Sequence, residues 1–359
     1  MRKLGKTIAG ILEKAVAGKR LELEEGVALL KSDKIILLGL AALSVTKRLH
    51  PEPVVTFVID RNINYTNVCT TGCRFCAFYR SPDAPDAYVL SYDEIYDKIR
   101  ETVSCGGTQI LMQGGLHPDL PFTYYLKMLQ GIKERFEIDI HSFSPPEIAH
   151  FSKITGLPVR EVLVRLREAG LASIPGGGAE ILDNRVRKYI SPDKISWEEW
   201  MNVMTTAHEL GMKSTATMMF GSVETLEERV MHLVRVRDAQ DRTGGFRAFI
   251  PWSYQPLNTR LGGKTATGVD YLKTLAVSRL MLDNVPNIQA SWVTQGAKMA
   301  QVSLNFGAND FGGTMLEENV VRAAGVSNRV PLDEIINSIR DAGYTPAQRN
   351  TGYDILKYY

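Results

Sequence analysis

Apolar positions along the chain recur first at helical spacing and then at two alternating periods. Residues 8–16 and 21–30 carry apolar side chains every three or four positions, and the apolar run 35–45 suits a buried helix. Residues 54–60, Val-Val-Thr-Phe-Val-Ile-Asp, are rich in β-branched side chains and predict a strand. The run continues through residues 62–67, where alternation sets Asn62, Asn64 and Thr66 on one face and Ile63 and Tyr65 on the other. Helices are then predicted over 91–104, 122–136, 159–169, 196–210, from 225 onward and over 269–282. Ser91-x-x-Glu94, Ser196-x-x-Glu199 and Thr225-x-x-Glu228 are capping boxes that start three of them. Strands are predicted between them over 108–112, 139–144, 171–174, 215–220, 246–252 and 301–306. A further capping box, Thr314-x-x-Glu317, predicts a helix near the C-terminus.

Strand–helix repetition of this kind means parallel strands joined by crossover helices. Glycine, proline and polar clusters recur just after the strands, on the face where (β/α) barrels carry their sites. The expected fold is α/β: a complete or partial (β/α) barrel over residues 51–320. An N-terminal helical extension, residues 1–50, packs on it, and a C-terminal helical segment, residues 321–359, closes it. A doubly wound open sheet would show the same alternation.

Composition narrows the function classes. A chain with 44% hydrophobic and 23% charged residues is ordinary for a soluble protein. A net charge of +2 makes no electrostatic case for a nucleic-acid or membrane partner. No apolar run approaches the ~18 residues of a membrane span. Arg2, Lys3 and Lys6 lead into residues 7–17, which Glu13 and Lys14 interrupt, so this is no signal-peptide core. Cys69, Cys73 and Cys76 crowd into eight positions, while Cys105 lies at a predicted helix end. Four cysteines make no disulfide scaffold at this size, and clustered thiols that must stay reduced imply the cytoplasm.

The spacing C-x3-C-x2-C points to a metal site. A structural zinc ion is usually closed by four protein ligands, and neither His50 nor His117 stands near the three cysteines in sequence. Three thiolates can hold three irons of a 4Fe–4S cluster and leave the fourth open. With Phe75 before the last cysteine, the loop resembles the signature of the radical S-adenosylmethionine (SAM) enzymes. The resemblance implies a barrel of the radical SAM type, a 4Fe–4S cluster on Cys69, Cys73 and Cys76, and SAM on the open iron. One-electron cleavage of SAM would then yield a 5′-deoxyadenosyl radical that abstracts hydrogen from a substrate.

Later motifs agree with it. Gln113-Gly114-Gly115 stands where these enzymes commonly have Gly-Gly-Glu for the SAM amino group, with Leu116 in place of the carboxylate. Glu180, in Pro-Gly-Gly-Gly-Ala-Glu, stands where they bind the SAM ribose, and Ser144 is a further polar candidate for that neighbourhood. Thr217-Met-Met-Phe-Gly221-Ser-Val-Glu224 resembles the family's G-x-I-x-G-x-x-E, matching at Gly221 and Glu224. Phe75 and Phe78 belong by the same resemblance to the cofactor's surroundings, and Phe249-Ile-Pro-Trp252 to another wall of the pocket. Each motif also has a plain reading: a turn glycine, a solvated glutamate, asparagines that only satisfy loop backbone.

A longer series narrows the resemblance. It comprises Asp60-Arg-Asn-Ile-Asn-Tyr-Thr-Asn-Val-Cys69, Cys76-Ala-Phe-Tyr-Arg80, Gln113-Gly-Gly-Leu-His117, Ser144-Pro-Pro-Glu147, Gly176-Gly-Gly-Ala-Glu180 and Gly307-Ala-Asn-Asp310-Phe-Gly-Gly-Thr314-Met-Leu-Glu317. This looks like the group of futalosine-pathway enzymes of menaquinone synthesis and the two-part synthase of the deazaflavin cofactor F420. Within it, the first two runs look most like the cyclases of dehypoxanthinyl futalosine. The implied substrate is a ribose tethered through a ketone to a benzoate. Hydrogen would leave C4′, the sugar radical would add to the ring as a spirocycle, and loss of an electron and a proton would restore aromaticity. A reducing partner such as flavodoxin or ferredoxin is implied with it. The benzoate wants a bidentate guanidinium, for which Arg80, Arg247 and Arg260 lie near predicted strand ends. The final deprotonation wants a base, for which His117 is a candidate. Tyr65 either faces the site or packs outside the barrel. The catalytic candidates are therefore His117, Tyr65 and Arg80, while Glu317 reads as a cap for Thr314.

Two other readings compete. A sister enzyme, aminofutalosine synthase or a cofactor F420 synthase component, would share the cluster and differ in product. A non-catalytic zinc or iron–sulfur protein would need the cysteines but none of the strand-end motifs.

Overall fold

A computed structural model describes residues 7–359 of the chain; Arg2, Lys3 and Lys6 lie outside the described residues. Three helices come first, Ile8–Val16, Leu23–Lys31 and Ile35–Leu49. The second packs on the helix Leu226–Thr243 and the third on the helix Gly268–Met281, each through its apolar stripe. Among the described residues, no helix is long and apolar enough to cross a membrane.

The strands are β1 Val54–Val58, β2 Asp60–Ile63, β3 Gln109–Met112, β4 Asp139–Ser142, β5 Ser173–Ile174, β6 Lys213–Phe220 and β7 Phe246–Ser253. They continue with β8 Asn287–Ile288, β9 Asp310–Gly313, β10 Thr345–Arg349 and β11 Ile355–Tyr358. β2 to β8 form a curled, all-parallel sheet in sequence order, as right-handed strand–helix crossovers require. β1 lies in a second sheet, ordered β11-β10-β1-β9, in which only the β10–β11 pair is antiparallel. The stretch predicted as one strand therefore serves both sheets, changing partners at Ile59. On the other side a parallel bridge between Gln289 and Asp310 links β8 to β9. Side chains of both sheets line one central cavity.

The capping boxes at Ser91, Ser196 and Thr225 form as expected, opening the helices Tyr92–Ser104, Trp197–Glu209 and Leu226–Thr243. Four other expectations are corrected. Residues 301–306 are not a strand but the end of the helix Ala297–Ser303 and a 3-10 turn; a short apolar run does not distinguish the two periods. Thr314 caps no helix. Its hydroxyl bonds the Asp60 backbone N–H and carbonyl, both at 3.1 Å, while Glu317 pairs with Lys98 at 2.7 Å. The C-terminal segment is not purely helical: after the helix Leu332–Asp341 it enters the second sheet as β10 and β11. Finally, the strand expected to reach residue 144 stops at Ser142, and Ser144-Pro-Pro-Glu147 is a capping box. It opens the helix Pro145–Thr155, where proline at the first turn costs no hydrogen bond.

Candidate active site

β2 delivers the chain into the cysteine loop, and backbone hydrogen bonds hold that loop from several sides. Cys69 N–H donates to the Arg80 carbonyl at 3.0 Å, Thr70 N–H to Leu116 at 3.1 Å and Arg74 N–H to Ile190 at 2.8 Å. Gly115 must be glycine, because a Cβ there would overlap the Val68 carbonyl and lie 2.8 Å from Cys69 Cβ. The Thr71 hydroxyl sits between two sulfurs, 3.1 Å from Cys69 Sγ and 3.5 Å from Cys73 Sγ. Burial, and then Cys73 beside it, push the Cys76 thiol up to about 11, while the N–H groups of Tyr79 and Phe78 favour its thiolate. Cys105 is exposed, at the end of the helix Tyr92–Ser104, and takes no part.

The donor set fits an iron–sulfur cluster. Thiols this buried resist ionising alone, and a metal deprotonates the thiols it binds. The backbone N–H groups aimed at Cys76 suit a ligating sulfur. Among the described residues, no group of three or more His, Cys, Asp or Glu side chains could hold a single metal ion; in a cluster each thiolate takes its own iron.

Behind the loop opens a cavity of about 260 Å³, near the low end of the roughly 300–1,000 Å³ typical of ligand pockets. Asn62, Gln113, the glycine run 176–178 and Glu180 line it. Gln113 lies against Gly177, where any Cβ would overlap its amide. Glu180 is 5% exposed and left-handed, with φ 41°. Its Oε1 accepts from Lys194 Nζ at 3.2 Å, while among the described residues Oε2 has no hydrogen-bond partner, although Arg187 Nη1 lies 3.6 Å away. The Asn62 and Asn64 side-chain oxygens are likewise buried without a partner. Unpaired buried acceptors call for a ligand's hydroxyl or amino protons, which is the chemistry SAM offers.

The structure adds Lys194, which sequence reasoning missed. Its ammonium lies 5.0 Å over the Phe75 ring and beside Glu180. Burial lowers its pKa, but Cys73 and Glu180 outweigh that and raise it. Nothing in the loop Pro192-Asp-Lys194 marks it, because only the tertiary fold brings it to the cysteines.

Other predicted site residues stand elsewhere. Tyr65 is fully buried, edge-on to Tyr125 and Phe143, and its hydroxyl donates to Glu147. It packs under Gly114 in the wall and does not line the cavity. Arg80 grips its own loop: Nη1 donates to the Ala77, Phe78 and Tyr79 carbonyls, and Nε to Asp86 at 2.7 Å. His117 lies outside the cavity, its Nδ1 accepting from Asp119 N–H at 3.1 Å. Ser144 is a cap, its hydroxyl on Glu147 at 2.6 Å. Gly221, at φ 85°, turns the chain and donates to Glu224 at 2.6 Å. In place of His117 and Tyr65, the cavity wall offers His141 and Asp60. Burial pulls His141 down to about 3 and pushes Asp60 up to about 6.

A half-barrel of seven parallel strands with three cysteines in a C-x3-C-x2-C loop after its first strand defines the radical SAM class of protein. Residues 63–236 match the radical SAM superfamily and residues 243–359 the CofH/MqnC C-terminal region. Over 98% of this chain and 96% of the relative, the sequence is 52% identical to a cyclic dehypoxanthine futalosine synthase of Halalkalibacterium halodurans. It is 48% identical to the synthase of the same name from Streptomyces coelicolor, over 96% of this chain and 88% of the relative. The chain thus belongs to the radical SAM superfamily and, within it, to the family of these futalosine synthases. The fold is shared with the FeFe-hydrogenase maturase HydG from Carboxydothermus hydrogenoformans. The TM-score is 0.76 at 18% identity, over 96% of this chain and 80% of the other.

Proposed function

We propose that this chain is a cytoplasmic radical SAM cyclase of menaquinone biosynthesis that converts dehypoxanthinyl futalosine to its cyclic spiro product. The observation that carries the reading is near-full-length kinship with the cyclic dehypoxanthine futalosine synthases in a chain whose cysteine loop reaches the cavity through Lys194 and Glu180. Cys69, Cys73 and Cys76 would hold a 4Fe–4S cluster, and Gln113, the backbone at Gly114 and Gly115, and Glu180 would hold SAM. Bound there, these cofactors supply, with one electron from a reductant such as flavodoxin or ferredoxin, the radical that takes hydrogen from ribose C4′.

The chain's own tasks are placement, exclusion of water and proton removal. Ile250, Trp252, Trp292, Val293 and Val320 give the cavity an apolar wall that sheds water around a reactive carbon centre. Asn62 and Glu180 present acceptors to ligand hydroxyls. After the ring has been attacked, one proton must leave it as one electron leaves. Asp60, on the wall with a pKa near 6, is better matched to that task at neutral pH than His141 near 3.

The test is an anaerobic assay of reconstituted protein with SAM, a reductant and dehypoxanthinyl futalosine, read by mass spectrometry. The expected products are 5′-deoxyadenosine and a compound two hydrogens lighter than the substrate. An adenosyl adduct would instead indicate aminofutalosine-synthase chemistry. Intact SAM in protein with a full cluster would overturn the reading.

A further inference from the structure

We propose that Arg247 is the residue that recognises the substrate's aryl carboxylate, at the end of the cavity away from the cysteine loop. The assignment rests on the cyclase reading above and names the group within that site that selects for an acid.

The placement comes from a bulge. Across the β6–β7 pair, Ser214 faces Phe246 and Thr215 faces Ala248, so Arg247 is an extra residue with no partner in the register. Further along β7, Ile250 and Trp252 line the cavity. Strict alternation would send Arg247 to the opposite face, with the fully buried Phe249. The bulge breaks the alternation, and Arg247 lines the cavity together with Ile250 and Trp252. Bulges re-aim single side chains in this way next to functional sites.

The guanidinium it delivers is uncommitted. Among the described residues its one hydrogen bond is from Nη1 to the Thr351 carbonyl, at 2.9 Å. Among the described residues it has no carboxylate within ion-pair distance; Asp139 and Asp354 act on it only at longer range. The other guanidinium on the wall, Arg349, is fully used: it bonds both Asp310 oxygens, at 2.5 and 3.1 Å, and lies 3.9 Å over the Tyr353 ring. Of the three arginines that strand ends offered to a carboxylate, Arg80 is spent on its own loop and Arg260 donates to the Gly72 carbonyl. Only Arg247 lines the cavity. On the wall it stands with Ser214, with His141 whose Nδ1 is bonded to Ser173 at 2.6 Å, and with Arg349, whose charge is already matched by Asp310. A half-buried guanidinium with no carboxylate in contact favours an anion, and its fork matches a carboxylate's two oxygens. Arg247 is the second residue of β7, so it sits near the strand end remote from the cysteine loop. The aryl acid would point down the barrel and leave the sugar toward the loop.

Titration calorimetry on the reconstituted holoenzyme with SAM tests this. The probes are dehypoxanthinyl futalosine and its carboxamide analogue, with wild type, Arg247→Met and Arg247→Lys. Wild type should prefer the acid, and Arg247→Met should lose roughly ten- to a hundredfold for the acid but little for the amide. Arg247→Lys should recover part of the preference, having charge without the fork. An Arg247→Met variant that keeps the wild-type ratio of acid to amide overturns the assignment while leaving the cyclase reading intact. So does an equal loss for both ligands, which would make Arg247 only a support for the bulge. If wild type neither binds nor turns over the substrate, the cyclase reading fails and takes the assignment with it.

Discussion

Replacing Tyr65 by phenylalanine separates a wall residue from a catalyst. Its hydroxyl is one of four donors on the Glu147 carboxylate, with Gly114 N–H at 3.0 Å, Ser144 N–H at 2.7 Å and Ser144 Oγ at 2.6 Å. Glu147 is 1% exposed, so the joint is dry. It ties the end of β2, the Gln113-Gly-Gly turn and the first turn of the helix Pro145–Thr155 together. Tyr65→Phe removes one buried hydrogen bond and leaves the ring packed on Tyr125 and Phe143, a loss of about 1–2 kcal/mol. Glu147→Gln is worse, because an amide turns an NH2 toward donors. Two of the four would lose their acceptor at about 1–3 kcal/mol each. Burial pushes the Glu147 pKa up, so the uncharged amide recovers some desolvation, and a net loss of about 3 kcal/mol is expected. Urea unfolding of both variants and anaerobic release of 5′-deoxyadenosine are the assays. Tyr65→Phe should keep its rate within several-fold. A stable Tyr65→Phe protein with no turnover would mean that the hydroxyl reaches the chemistry, and the placement argument would be wrong. A Glu147→Gln protein as stable as wild type would show that the carboxylate joins nothing.

Other consequences follow from single contacts. Gly115→Ala should displace Val68 and Cys69 and reduce iron bound per chain several-fold at nearly unchanged far-ultraviolet circular dichroism; full iron loading would show that the close approach is dispensable. Asp60, raised to about 6 by burial, is a base only when ionised. Cyclisation should therefore fall as pH drops through about 6, and Asp60→Asn should slow product formation more than deoxyadenosine formation; an unchanged pH profile in the variant would remove Asp60 from the mechanism. His141, His208 and His232 are held neutral by burial, at about 3, 4 and 3. Their folded pKa values are depressed, so their contribution is complete above about pH 6.5 and is lost as pH falls toward those values. The slope below 6.5 should reach about 1.4 kcal/mol per pH unit for each histidine, and urea midpoints that stay level from pH 7 to 5 would contradict it.

What could be read from the sequence was what depends on short spacing. The three cysteines, the capping boxes at Ser91, Ser196 and Thr225 and the period of the strands are local signals, and the structure reproduces those helices and that alternation. What could not be read depends on which strand pairs with which. Residues 54–63 look like one strand because β-branched and apolar residues run on through Ile59 without a turn signal, yet β1 and β2 pair in different sheets. The β10 segment that draws β1 away lies about 290 residues later. The same limit hid the cavity's chemistry. Tyr65 and Arg247 both lie on predicted strands, and alternation alone assigns each an equal chance of facing inward. Tyr65 packs outward because Gly114 leaves room for its ring and Glu147 for its hydroxyl. Arg247 turns inward because one extra residue in β7 shifts the register against β6. A face is a property of a strand pair, so reading a residue's role from one chain requires the partner's register. For an arginine in a cavity, that register decides between a stem packed against helices and a charge that meets the substrate.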